Sequence, residues 1–452
     1  MVRTLSGGSG NVPRMSEPTR WTADQVLAVA PDQSSLASAR KLAGSADWSS
    51  VGVAQQAPVL WGLCKGSGKS PYQTCVDLTE PAYRCSCPSR KFPCKHALAL
   101  LLKWSAGAVP VDEPPAWVEE WLESRSARAA KKAEKVAAPR TEAQELAAQK
   151  RAQSRHDKVL SGVAELQQWL SDQVRNGIAG LESGGYRHFE PVAARLIDAQ
   201  APGLAGAVRR LATIPSSGAG WEERTLAEMS MLHLLAGAAD RLDTLPPDLA
   251  ATVRSRLGHP VTTEQVLAGA AVRDVWQVIG TRDLTEDRLV ARRVYLIGRD
   301  TGREALVLSF AAPGQVLSAD LVVGTCLEAD LCFYPGSFSL RALVASRHGA
   351  PELMVEPEGS TSVAAALDRL SRALGADPWL MSLPLLIDGV IAPGERWHLV
   401  DPSGDALPLE PGVECWRFVA AAGGAVSKIA VEWGPAGLVP LTMFRDGEVL
   451  AA

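Results

Sequence analysis

The chain has 452 residues, a formal net charge of -4, 46% hydrophobic residues and 21% charged residues, a balance typical of folded soluble domains and unlike disordered, collagenous or disulfide-dense secreted chains. Its length exceeds what one hydrophobic core organises and predicts about three domains. The longest apolar run, Ala97 to Leu102, is six residues, far short of the ~20 that cross a bilayer, so no membrane span is expected.

Residues 1–15 are rich in Gly and Ser at their start and hold no apolar signal segment; they are expected to form a disordered tail on a cytoplasmic protein. Between 22 and 44, Ala, Leu and Val recur at helical spacing, predicting two short helices, with Thr22 as a cap and a break at Pro31-Asp32. Trp48 to Leu63 reads as strand and is expected to buttress the cysteine-rich segment after it. Gly66-Ser67-Gly68-Lys69-Ser70 has the look of a phosphate-binding loop. However, its first required glycine is Leu63, and it leads into Pro71 and a strand rather than a helix, so nucleotide binding is not expected there.

Tyr72 to Leu78 and Ala82 to Cys87 read as two β segments joined by Thr79-Glu80-Pro81, a hairpin in which period two puts Cys85 and Cys87 on one face. After Pro93, the segment Cys94 to Trp104 is rich in helix formers, so Cys94 and His96 fall at a helix N-terminus, where the dipole favours thiolate. Cys85, Cys87, Cys94 and His96 thus lie within twelve residues. Three thiolates and an imidazole suit a borderline-soft d10 cation, and four ligands close a tetrahedral shell with no position left for an activating water. One structural Zn2+ and no catalysis is the expectation. Cys64, Cys75, Cys326, Cys332 and Cys415 lack a CxxC partner or a neighbouring His and read as core or surface thiols.

The CxC-x6-CxH spacing, the hairpin before it and the apolar helix after it resemble the SWIM zinc finger. Trp61-Gly62-Leu63-Cys64-Lys65-Gly66-Ser67-Gly68 and Cys85 to Lys91 also look like bacterial members. The resemblance implies a module that binds DNA, RNA or protein, and a protein-interaction adaptor for a MoxR-type ATPase or a von Willebrand A protein is the alternative it implies. Between Leu60 and Ser105, seven bases face two acids, and between Glu123 and Lys158, ten bases face five acids. Such local basicity on an acidic chain suits a phosphate-contacting face, with Arg84, Arg90, Lys91, Lys95 and Lys103 as candidate nucleic-acid contacts. A solvated face that compensates the charge of the metal site is the alternative reading.

Prolines at 110, 114 and 115 mark a boundary, after which Trp117 and Trp121, at i, i+4 spacing, are expected to cap the finger. Residues 125–158 read as a charged helical linker broken at Pro139. Val159 to Gly258 repeats amphipathic patterns for about five helices, and its Trp169, Trp221, His188 and His233 are given no role. Beyond Val272 the period becomes two, predicting a β-rich region of one or two subdomains, with a hairpin around Asp300-Thr301-Gly302 and a small barrel as one form. A helix from about Ser362 to Leu374 follows, and then strands that include Trp397 to Val400, Cys415 to Val419 and Ile429 to Trp433. The expected architecture is therefore α+β and multidomain: tail 1–15, zinc-finger domain 16–124, linker 125–158, helical domain 159–270 and β-rich region 271–452. No GxSxG, HExxH or GxGxxG motif occurs, and a weaker alternative is an enzyme site in the C-terminal region assembled only in three dimensions.

Overall fold

A computed structural model describes residues 20–21, 26, 29–30, 33–54, 59–66, 68, 70–78, 82–89, 91, 93–137, 142–286, 289–311, 317–318, 320–359 and 361–452. The tail at 1–15, Thr22, Pro31-Asp32, Thr79-Glu80-Pro81, Arg90 and Pro139 lie outside the described residues.

The fold is α+β and multidomain, opening with a four-stranded antiparallel meander of β1 (Trp48–Val53), β2 (Val59–Cys64), β3 (Tyr72–Asp77) and β4 (Ala82–Cys85). The region read as one strand is thus two, paired as a hairpin in which Gly52 is required. A Cβ there would stand 2.3 Å from the Trp61 ring, inside any tolerable contact. Period two buries both faces of the sheet. Leu60 and Val76 turn to helix α2 (Lys95–Ser105) with Leu98, Leu101, Trp21 and Trp104. Val59, Trp61 and Cys75 turn the other way to Val118, Trp117 and Trp121 of α3 (Ala116–Ala137). Both tryptophans therefore cover the finger sheet. Before the sheet, α1 (Gln33–Ala43) packs against α2.

The long α4 (Glu142–Asn176) crosses from the charged linker into a bundle with α5 (Gly180–Gly184), α6 (Tyr186–Asp198), α7 (Pro202–Leu211), α8 (Trp221–Ala239) and α9 (Pro247–Leu257). Its apolar stripe Val159, Val163, Leu166 and Leu170 meets Phe189, Leu196, Leu204, Leu235 and Val253 in one core, the burial that holds amphipathic helices together. His188 bonds Gln173 at 2.7 Å, and Trp221 is core.

After α10 (Thr263–Leu267) come β5 (Ala271–Glu286), β6 (Leu289–Gly298), β7 (Glu304–Ala311), β8 (Thr325–Phe333), β9 (Arg341–Arg347) and the short β10 (Glu352–Leu353). Beyond α11 (Val363–Ala376), β11 (Leu383–Ala392), β12 (His398–Val400), β13 (Ala406–Pro408), α12 (Trp416–Ala422), β14 (Ser427–Gly434), β15 (Gly437–Arg445) and β16 (Glu448–Ala451) build a second antiparallel sheet in the order β13-β12-β11-β14-β15-β16. The β-rich region is therefore two six-stranded sheets, whose facing residues Leu386, Ala430, Leu441 and Phe444 complete the core of the first. Glu432 of β14 clamps Arg282 of β5 and Arg293 of β6 at 3.0 and 2.7 Å.

Cys415 to Val419, expected as strand, is instead the start of α12. Cys415, Phe418 and Ala422 are its buried positions, a spacing that matches a helical face, and Gly423 ends it with φ 57. The alanines at 420–422 favour this form.

Candidate metal centre

Cys85 closes β4, where Thr74 of β3 stands directly across from it. Cys87 lies in the bend just beyond the strand, so the turn rather than strand periodicity brings it in. Cys94 is the extended N-cap residue of α2, with φ -73 and ψ 166, and His96 sits in the first helical turn. The ligand atoms of all four residues lie within 4.8 Å of one another, the scale set by Zn–S bonds of about 2.3 Å and Zn–N bonds of about 2.0 Å. His96 presents Nδ1 to the sulfurs, 3.7 Å from Cys85 Sγ and 3.9 Å from Cys94 Sγ. Its ring, 4% exposed, rests against Tyr72 with centroids 5.0 Å apart.

The sulfurs of the cluster shift one another's acidity. The Cys94 thiol beside Cys85, opposed by burial and aided by His96 and the Thr74 hydroxyl, brings the Cys85 thiol down to about 4. That thiolate in turn, followed by burial, pushes the Cys94 thiol up, and burial raises Cys87. Ionising all three sulfurs at this spacing is favoured by a positive ion among them. Thr74, fully buried, places Oγ1 3.1 Å from Cys85 Sγ and donates to the thiolate. This supporting contact is not among the residues picked out from sequence, yet pairing Asp77 with Ala82 across the hairpin puts Thr74 opposite Cys85. By contrast, burial pushes the isolated thiols of Cys64, Cys75 and Cys415 up to about 11, 12 and 11, consistent with inert packing.

The described basic candidates stand on different elements. Arg84 is exposed on β4 opposite Cys75, and Lys91 is exposed in the loop before α2. Lys103 gives Nζ to the Ala43 carbonyl at 3.0 Å, joining α2 to the last turn of α1. Lys95 opens into a cavity of about 630 Å³ beside the metal ligands, where it meets Lys65 of the β2–β3 connection, Ser34, Ser35 and Ser38 of α1, and Ser89 of the knuckle. Asp47 is the one carboxylate of that lining. Lys65 contributes to the basic balance seen in the sequence, but only the fold sets it beside Lys95.

Three thiolates and one imidazole gathered by a hairpin and a helix N-terminus define a structural zinc finger. Residues 75–105 match the SWIM zinc finger model, and residues 154–257 match that of the SWIM-associated four-helix bundle domain. No curated protein and no solved structure matches the chain. The chain thus carries a SWIM zinc finger, with Cys85, Cys87, Cys94 and His96 as the donor set for one structural Zn2+. None of the helices, among the described residues, is long and apolar enough to cross a membrane.

Proposed function

We propose that this zinc-binding protein is a cytoplasmic, non-enzymatic nucleic-acid-binding protein whose finger seats a phosphate of the strand in the cavity beside the zinc. The carrying observation is that cavity: Lys65 and Lys95 converge there with three hydroxyls from the first turns of α1. Ammonium groups, hydroxyls and the N-terminal end of a helix are the groups that bind phosphate oxygens. The non-enzymatic reading rests on the donor count, since four protein ligands fill a tetrahedral shell and leave no position for a metal-activated water.

The test is binding of labelled single- and double-stranded oligonucleotides to the zinc-loaded full chain across a salt series. Each lysine that neutralises a phosphate contributes about -0.7 (single strand) to -0.9 (duplex) to the slope of log K against log salt. The double variant Lys65→Ala/Lys95→Ala is therefore expected to flatten that slope by roughly 1.4 to 1.8. No binding, or a slope unchanged in the variant, refutes the reading and leaves protein docking, of the MoxR or von Willebrand A kind, as the alternative.

A further inference from the structure

The first C-terminal sheet closes on itself. β5 pairs with β6, β6 with β7, β7 with β9 in parallel, β9 with β8, and β8 returns to β5. The ring order 1-2-3-5-4-1, with strands three and five parallel and a long bulged first strand serving two partners, is the connectivity of the five-stranded oligonucleotide- and oligosaccharide-binding barrel. Residues 271–277 of β5 pair with β8 and residues 276–286 pair with β6, with the bulge between Val278 and Gly280. Ligands of that barrel lie across strands two and three and the loop between strands four and five. Fold by itself assigns no function; the residues on that face do.

A cleft of about 270 Å³ occupies this face. Arg293 of β6, Leu306 and Leu308 of β7, Tyr334 and Phe338 of the β8–β9 loop, and Arg341 at the start of β9 line it. The barrel's register explains the assembly, since Arg293 pairs with Leu308 and Leu306 pairs with Arg341. The Arg341 guanidinium lies over the Tyr334 ring, 4.2 Å from its centroid, forming an exposed cationic stacking plane. Arg256 of α9 reaches the far wall, where Asp377, a carboxylate of the lining, is already bound to it at 2.5 Å. Arg293 is likewise held by Glu432 at 2.7 Å, so Arg341 is the lining cation that faces an incoming anion.

We propose that this cleft is a second nucleic-acid site that takes one nucleotide of a single strand, its base against the Tyr334–Arg341 stack and its phosphate toward the Arg341 guanidinium. Aromatic rings and guanidinium planes are the surfaces on which unpaired bases stack. The volume, just below the ~300 Å³ of the smallest drug-sized pockets, suits a single nucleotide with the strand continuing over the surface. A sugar polymer would instead call for free carboxylate or amide acceptors for its hydroxyls, and the one carboxylate on the lining is spent on Arg256. This proposal stands on the barrel and not on the finger.

The test uses the zinc-loaded full chain and a 5-iodouracil single-stranded oligonucleotide of about 12 nucleotides, within the ~4–16 nucleotide span of one such barrel. Photocross-links are mapped by peptide mass spectrometry, and affinity is read by fluorescence anisotropy. The expected result is an adduct within residues 334–341, persisting in Lys65→Ala/Lys95→Ala, and a loss of about tenfold in affinity for Arg341→Ala, the size of one stacking contact. Melting curves matching the parent for this exposed residue exclude misfolding as the cause. Adducts confined to the finger, with Arg341→Ala binding like the parent, overturn the cleft and leave the finger reading intact. Displacement by a neutral oligosaccharide overturns the ligand class, and the absence of any adduct overturns both readings.

Discussion

Replacing Thr74 with Val keeps the shape of a fully buried side chain and removes the hydroxyl that stands 3.1 Å from Cys85 Sγ. The backbone pairing of Thr74 with Cys85 is untouched by the change, so the effect isolates one hydrogen bond to a thiolate. Bonds to charged groups contribute about 1.5–3 kcal/mol, and loss of a supporting partner behind a metal ligand costs about 10- to 100-fold in metal affinity. At about 1.4 kcal/mol per decade, the second figure is roughly 1.4–2.8 kcal/mol, so two independent routes agree. The assay is zinc competition against a chromophoric chelator with the full chain, Thr74→Ser serving as the control that restores the hydroxyl. An affinity for Thr74→Val within about threefold of the parent, below the ~10-fold floor, would refute the assignment of Thr74 to the metal centre.

Cys94→Ser removes a buried donor at the helix cap; elemental mass spectrometry after chelator dialysis should show one zinc per parent chain and none in the variant, because the four-ligand set holds about 10–16 kcal/mol of binding free energy. Asp274, 3% exposed, accepts from the Thr301 hydroxyl at 2.6 Å and from the Val275, Asp300 and Thr301 amides at 2.7 to 3.0 Å. Burial opposes its ionisation, but these bonds outweigh it and hold the carboxyl below the usual range. Stability from a depressed carboxyl is present above its unfolded pKa of about 3.9 and is lost as pH falls through the lower folded value. Asp274→Asn should thus cost about 1.5–3 kcal/mol at neutral pH, and chemical denaturation should show the gap to the parent closing below about pH 4. Gly280→Ala would set a Cβ 2.7 Å from Leu441 Cβ of the facing sheet, and a loss of about 1–3 kcal/mol in the same assay is expected; an unchanged midpoint would mean that the sheets are not packed as described.

The metal centre was legible in the chain because its four donors are close neighbours, with spacing set by one strand end, one bend and one helix cap. Period two and period 3.6 likewise placed the meander, the bundle and the β-rich region, since each periodicity reports which face of a local element is buried. Trp416 to Ala422 escaped this reading, because a seven-residue segment offers too few turns for its apolar spacing to separate helix from strand, and packing of Cys415 and Phe418 into the last sheet decided it. Thr74, the joining of Lys65 with Lys95, the closure of β7 onto β9 and the meeting of Arg293 with Arg341 came only from tertiary structure. Each of these depends on strand register or on contacts across 11 to 48 residues of chain, and such pairings are selected by the burial of whole faces, which no local run of side chains encodes.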